Sequence, residues 1–265
     1  MIGIIGLGFV GGAMLKCFQL KKIHVTGYDK YKNNGINNFE DILDSKILFL
    51  CLPTLFDENR KEYNKDAILE VCKKLNKYRF KGIVVIKSTV EPGTTDNLSD
   101  LYKNLEICHN PEFLSAKTAF EDFCNQKHIV LGKGKNCTKK KFEDLVNFYK
   151  NNFNESKISK CASIESETMK IFCNSFYASK IIIFNEYYTL CEKINCNFNN
   201  VTNLMISNNW INKMHTSVPG HDGKLGYGGA CFPKDTNALN EFMKKNNVSN
   251  LVLDNVIKSN NLLRK

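Results

Sequence analysis

The chemistry-bearing residue that stands out is a cysteine. Cys231 follows Gly228-Gly229-Ala230 and precedes Phe232-Pro233-Lys234-Asp235. Proline suits the first turn of a helix, where its missing N–H costs nothing. The spacing therefore places Cys231 at a helix N-terminus with Lys234 beside it. Both features favour the thiolate, the nucleophilic form of the side chain. The other cysteines are scattered and none forms a CxxC pair. An odd total of 11 reads as thiols in a reducing, cytoplasmic compartment, most of them small core hydrophobes.

A second chemical pattern is a stripe. Glu167, Lys170, Asn174, Ala178, Ile181 and Asn185 recur at spacings of three and four, on one face of a helix over about 165–194. The rest of that helix is apolar (Ile171, Phe172, Phe176, Ile182, Ile183, Phe184), so the expectation is a helix buried all round. A buried Lys and Asn need partners, and an oxyanion at a reacting carbon would be one.

These residues need elements to position them, and the first half supplies a recognisable set. Met1–Ile5 is a short apolar strand leading into Gly6-Leu7-Gly8-Phe9-Val10-Gly11 and then a helix. In a GxGxxG turn of this context the first glycine makes the bend, the second lets backbone approach a pyrophosphate, and the third lets helix and strand pack closely. A second strand, Ile23–Tyr28, ends at Asp29. An acid there accepts hydrogen bonds from ribose hydroxyls and repels a 2′-phosphate, which favours NAD over NADP. Continuous apolar runs at 47–52 and 82–86 read as parallel strands buried on both faces, with a helix over 66–78 between them. Pro53-Thr54 and Ser88-Thr89 then fall at strand carboxyl ends, where such sheets bind ligands.

The fold class expected is α/β. A Rossmann-type doubly wound parallel sheet (1–160) is followed by an all-helical central domain (161–265), with helices near 165–194, 199–209, 234–246 and 250–263. Composition agrees. A chain of 265 residues that is 43% hydrophobic and 24% charged is neither disordered nor fibrous. No apolar run reaches the ~18 residues of a membrane span. The start lacks a basic segment and reads as a first strand rather than a signal peptide. The net charge is +10, but the arginines are only Arg60, Arg79 and Arg264 and the lysines are dispersed, which argues against a nucleic-acid partner. There is no metal-ligand spacing and no internal repeat.

Four further blocks, in order, carry a resemblance. They are Ser88-Thr89-Val90-Glu91-Pro92-Gly93-Thr94-Thr95, then Asn110-Pro111-Glu112-Phe113-Leu114, then Glu167-Thr168-Met169-Lys170 with Asn174, then Gly228 to Asp235. With the glycine turn they resemble the nucleotide-sugar 6-dehydrogenases, the UDP-glucose and GDP-mannose dehydrogenase family, over essentially the whole chain. The resemblance implies NAD-dependent four-electron oxidation of a nucleotide sugar, UDP-glucose foremost, at C6 to the uronic acid. Cys231 would form first a thiohemiacetal and then a thioester. Lys170 and Asn174 would stabilise oxyanions, Asp235 and Thr89 would orient a water or relay a proton, and Glu112 would help hydrolyse the thioester.

The expected cofactor contacts are Gly6, Gly8, Phe9, Val10, Gly11, Asp29, Pro53, Thr54, Ser88, Thr89 and Lys234. Those to substrate are Phe113, Leu114, Lys170, Asn174, Gly226, Tyr227 and Gly228, with His215 where many members place an arginine. The family also implies a homodimer paired through the central helices. Two departures stand out. Ser115-Ala116-Lys117 replace an acid and a glycine usual after the Asn-Pro-Glu-Phe-Leu block. The expectation is also of a short form of the family, without its third, C-terminal nucleotide-sugar-binding domain. Two rival readings are a dehydrogenase of a smaller sugar or hydroxy acid, and an inactive or partner-dependent NAD-binding derivative.

Overall fold

Alternation within the apolar runs decides the architecture. In a computed structural model describing residues 1–265, the strands are β1 (Ile2–Ile5), β2 (Val25–Tyr28), β3 (Ile47–Leu50), β4 (Phe56–Asp57), β5 (Glu62–Tyr63), β6 (Ile83–Ile86), β7 (Glu106–His109), β8 (His128–Lys133) and β9 (Lys157–Ala162). Seven of them form one sheet in the order β2-β1-β3-β6-β7-β8-β9. Its pairs are parallel except β7 with β8. Successive side chains enter opposite cores, as the pleat requires. Ile4, Phe49 and Val85 join one cluster, and Ile5, Leu48 and Val84 the other. Both faces are covered by helices, so the central strands β1, β3 and β6 contain no polar side chains.

The covering helices are α1 (Phe9–Leu20), α2 (Asp66–Lys77), α3 (Thr94–Leu101), α4 (Ala119–Cys124) and α5 (Lys139–Asn152). After β1 the chain pairs β2 on one side and then crosses to place β3 on the other. The topological switch point therefore lies at the carboxyl ends of β1 and β3, where open α/β sheets bind their ligands.

The chain divides into two compact units, one of Met1–Leu55 with Asn64–Lys170 and one of Phe56–Tyr63 with Ile171–Lys265. This differs from a division at 160 in two ways. The last sheet strand, β9, runs to Ala162, so the first unit extends past it. The β4–β5 hairpin belongs with the second unit, because Tyr63 is fully buried among Ile171, Ala238, Leu239 and Leu253. The helices of the second half are α6 (Ser163–Lys193), α7 (Phe198–Ile206), α8 (Phe232–Lys245) and α9 (Leu251–Leu263). The stripe on α6 is buried at Glu167, Lys170, Asn174, Ala178 and Asn185, and half-buried at Ile181. Burial all round fails, however. Phe172 and Phe176 are 54% and 65% exposed, and Ile183 also faces out. From Ile171 on, the helix packs one face within the second unit and leaves an apolar face open.

Candidate active site

The glycine turn fits a dinucleotide on steric grounds. A Cβ on Gly6, whose φ is +87°, would lie 2.4 Å from the Cys51 carbonyl oxygen, and one on Gly11 would lie 1.9 Å from that of Gly6. A Cβ on Gly8 would meet nothing within 4 Å. The outer glycines are thus dictated by packing, whereas the space beside the middle one is open. Phe9 is exposed and Val10 half-buried at the N-terminus of α1, whose free N–H groups favour an anion.

Asp29, at the end of β2, accepts hydrogen bonds from the backbone N–H of Leu7 (2.7 Å), Lys32 (2.9 Å) and Tyr31 (3.0 Å). Burial alone would raise its pKa, but these three N–H groups and the Lys32 charge hold it below the usual carboxylate value. A carboxylate accepts about four hydrogen bonds, so about one position remains for a ribose hydroxyl.

The strand-end residues turn out to brace one another. The Ser88 hydroxyl donates to Leu52 O (2.6 Å) and accepts from Leu52 N–H (3.1 Å). The Thr54 hydroxyl donates to Thr89 O (2.8 Å). These bonds lock the ends of β3 and β6 together, while Pro53 between them is exposed. Thr89 itself is buried.

The Asn110–Leu114 turn follows β7. Glu112 Oε2 accepts from Leu114 N–H at 2.7 Å, and Glu112 Oε1 lies 3.6 Å from Lys170 Nζ. The Lys170 ammonium also sits 5.1 Å from the Phe113 ring centroid. Phe113 is half-exposed and Leu114 packs on the sheet core.

One turn before Lys170, Glu167 is wholly buried. It accepts from Gly93 N–H (2.6 Å), Thr95 N–H (2.8 Å) and the Thr95 hydroxyl (2.6 Å), capping the start of α3. Burial outweighs these bonds and lifts its pKa from 4.5 to about 7. The folded state then holds this proton more tightly than the unfolded state. Its contribution to stability should fall as pH rises from 4.5 to about 7, by about 3 kcal/mol in all, and be level above that. Buried His109, lowered to about 3 by desolvation, works in the opposite direction over part of that range. The check is therefore the difference in urea unfolding free energy between the parent and Glu167→Gln across pH 5–8, which isolates the glutamate.

In the second unit, Cys231 is the one exposed cysteine and stands at the N-cap of α8, its carbonyl accepting from Asp235 N–H at 3.0 Å. The helix dipole there favours a thiolate. Asp235 has no exposed surface. Its carboxylate accepts 2.5 Å hydrogen bonds from the Tyr63 hydroxyl, the Lys234 ammonium and Asn174 Nδ2. Lys234 also lies 4.6 Å from the Tyr63 ring centroid. So Asn174, Lys234 and Asp235, which the sequence assigns to separate tasks, form one network. A buried carboxylate needs such partners.

The loop before the cysteine is fixed by three side chains. Asn185 Oδ1 accepts from Gly226 N–H (2.9 Å), Asn260 Oδ1 from Tyr227 N–H (2.7 Å), and Arg264 donates to Gly226 O (2.9 Å) and to Asp222 (2.6 Å). A Cβ on Gly228 would press on the Arg264 guanidinium at 2.8 Å. His215 lies against Tyr177 and Phe232, with ring centroids at 4.9 and 5.3 Å. Its pKa is lowered by burial and by Lys180 and His221, so it is a neutral polar group rather than a substitute cation.

Sequence reasoning missed Tyr63, Asn260 and Arg264. Nothing local marks them, since each acts on a residue at least 33 positions away. It also passed over Lys87, for which a signal existed: a lysine directly ending an apolar strand and abutting Ser88-Thr89.

A doubly wound dinucleotide-binding unit followed by a helical unit defines the class: a dehydrogenase-type α/β protein with an added helical domain. The chain belongs to the UDP-glucose/GDP-mannose dehydrogenase family. Residues 31–152 match that family's NAD binding domain and residues 164–262 its central domain.

The UDP-glucose 6-dehydrogenase of Rickettsia prowazekii (strain Madrid E) is 33% identical over 247 residues, covering 88% of this chain and 52% of that one. The UDP-glucose 6-dehydrogenase of Campylobacter jejuni is 26% identical, covering 100% and 72%. The chain thus spans about half the length of the Rickettsia relative. The structure of a UDP-glucose dehydrogenase from Pyrobaculum islandicum shares the fold, with a TM-score of 0.87 at 23% identity over 98% of this chain and 68% of that one.

Proposed function

We propose that the chain oxidises the C6 alcohol of a nucleotide sugar, UDP-glucose in the first instance, to the uronic acid, with Cys231 as the covalent nucleophile. What carries this reading is the setting of that cysteine, exposed at the head of α8 directly before Lys234 and Asp235. The turn at Gly6–Gly11 and Asp29 would hold NAD, which when bound supplies the hydride acceptor. The Cys231 thiolate adds to the C6 aldehyde to give a thiohemiacetal, and after the second oxidation a thioester remains on the sulfur. Lys170 and Asn174 donate hydrogen bonds to oxygen as negative charge develops there, a contribution of about 10²–10³-fold for a single donor. Thr89 and Asp235 orient water, and Glu112 serves the final hydrolysis. Phe113, Leu114, His215 and the 226–228 backbone hold the sugar.

The working form in this reading is a homodimer in a reducing cytoplasm. The open groove of α6, α8 and α9, lined by Phe172, Phe176, Leu251 and Val252, supports pairing through the helical unit, since large exposed apolar patches mark interfaces. No helix is long and apolar enough to cross a membrane. The test is NADH release with UDP-glucose, GDP-mannose and UDP-N-acetyl sugars. Two NADH per sugar oxidised and a uronate product are expected with one of them, and one NADH per sugar would overturn the covalent route.

A further inference from the structure

Lys87 is a buried charged group to which these roles assign nothing. It follows β6 directly, and only 2% of its surface is exposed. Its Nζ donates to Asn110 Oδ1 at 3.0 Å and lies 3.4 Å from Pro111 O, and the Phe123 ring centroid is 5.9 Å away. Neither acceptor is a carboxylate. Asn110 is itself held on both ends of its amide: Oδ1 also accepts from the Tyr149 hydroxyl (2.5 Å), and Nδ2 donates to Val130 O (2.8 Å).

An ammonium withdrawn from water and offered only neutral acceptors is costly, and a fold that merely needed to fill this space would do so more cheaply with an apolar side chain. Desolvation lowers its pKa to about 8, while Cys51 and Glu112 raise it and Lys170 lowers it further. Glu112 is thus the carboxylate whose field it feels. The two residues that Lys87 grips, Asn110 by its side-chain oxygen and Pro111 by its carbonyl, are those immediately before Glu112.

We propose that Lys87 is a positioning residue for Glu112. It fixes the Asn110-Pro111 segment so that the Glu112 carboxylate is presented in one orientation. The far end of the same side chain is held independently, by Leu114 N–H at 2.7 Å and Lys170 at 3.6 Å. Lys87 therefore sets the stem while Leu114 and Lys170 set the head.

This role rests on the reading above, in which Glu112 serves hydrolysis of the Cys231 thioester. In that step water oxygen bonds to the acyl carbon and gives its proton to Glu112. The carbon–sulfur bond breaks, its electron pair stays on sulfur, and sulfur takes up a proton to restore the Cys231 thiol. The product is the carboxylic acid, and nothing is oxidised or reduced. A carboxylate turned away from the water slows this step and no earlier one.

The test compares the parent, Lys87→Met and Lys87→Arg with UDP-glucose and NAD, following the NADH burst, the steady state and the intact mass of the protein. Lys87→Met should show a burst of two NADH per chain at the parental rate. Its steady state should then be about 10- to 100-fold slower, the cost of a misplacement near 1 Å, with an acyl adduct accumulating on Cys231. Lys87→Arg, which keeps the charge and donors, should fall between the two and accumulate less adduct. If Lys87→Met does not fold, the arginine variant decides: a steady state slowed more than the burst, with adduct, supports the role, and parental behaviour overturns it. Equal loss in burst and steady state, or no adduct in a slow variant, also overturns it. A parent that makes no uronate from UDP-glucose or the other sugars overturns the underlying reading and this role with it.

Discussion

Cys231→Ser should stop uronate formation while leaving NAD binding unchanged. A serine hydroxyl is a far weaker nucleophile than a thiolate at neutral pH, and a helix dipole that favours a thiolate does not ionise an alcohol of much higher pKa. Loss of an essential nucleophile costs on the order of 10⁴-fold or more in turnover. The remaining chemistry should halt at the aldehyde level, so an aldehyde trap should capture product from the variant and none from the parent. The exposure of Cys231 adds an independent check. A mild alkylating reagent should modify this thiol ahead of the buried ones at Cys17, Cys72, Cys108, Cys137 and Cys191. Full two-step turnover by the serine variant would remove the covalent intermediate from the mechanism.

Gly11→Ala and Gly8→Ala should behave as opposites, though both alter the same turn. The methyl at 11 would sit 1.9 Å from Gly6 O and 3.2 Å from Cys51 Cβ, so the backbone of β1 and α1 must separate to admit it. Overpacking against backbone costs roughly 3 kcal/mol. That corresponds to a fall of about 6–12 °C in Tm for a chain of this size. The methyl at 8 meets nothing within 4 Å, so stability should be unchanged. It would occupy the approach to the α1 N-terminus instead, and losing one charge-assisted hydrogen bond there weakens NAD binding about 10- to 100-fold. Thermal melts and NAD titrations on the two variants make the comparison. Equal destabilisation by both would mean that Gly8 is also set by packing.

The parts of this molecule legible in the sequence are those where burial imposes a period. Strands covered on both faces have no polar positions, so β1, β3 and β6 stand out as apolar runs. The four long helices lie within a few residues of the ranges their spacing gives. The edge of the sheet was opaque for the same reason. The strand β9, Lys-Ile-Ser-Lys-Cys-Ala, mixes polar and apolar residues without a strict period at the sheet edge, and β4 and β5 are two residues each, too short for any period.

Within the site, residue types were legible as blocks, but their pairings were not. Asn174 and Asp235 are 61 positions apart, and Tyr63 and Asp235 are 172 apart. No local pattern encodes that they share a carboxylate. Phe172 and Phe176 misled in a different way. Apolarity is common to a face packed within its own unit and a face left open, and a single chain's sequence does not separate the two.

The placement of Tyr63 bears on how this molecule can be taken apart. Because residues 56–63 complete the helical unit, no single cut yields two intact modules. A fragment starting at Ile171 would lack Phe56 and Tyr63 from its core and one of the three donors to the buried Asp235 carboxylate. The other fragment would carry an orphaned hairpin in the connection between β3 and α2. Gene fusions or swaps with relatives therefore have to exchange the hairpin together with the helices. During synthesis, moreover, the hairpin must wait for more than 100 further residues to emerge before it has a surface to settle on.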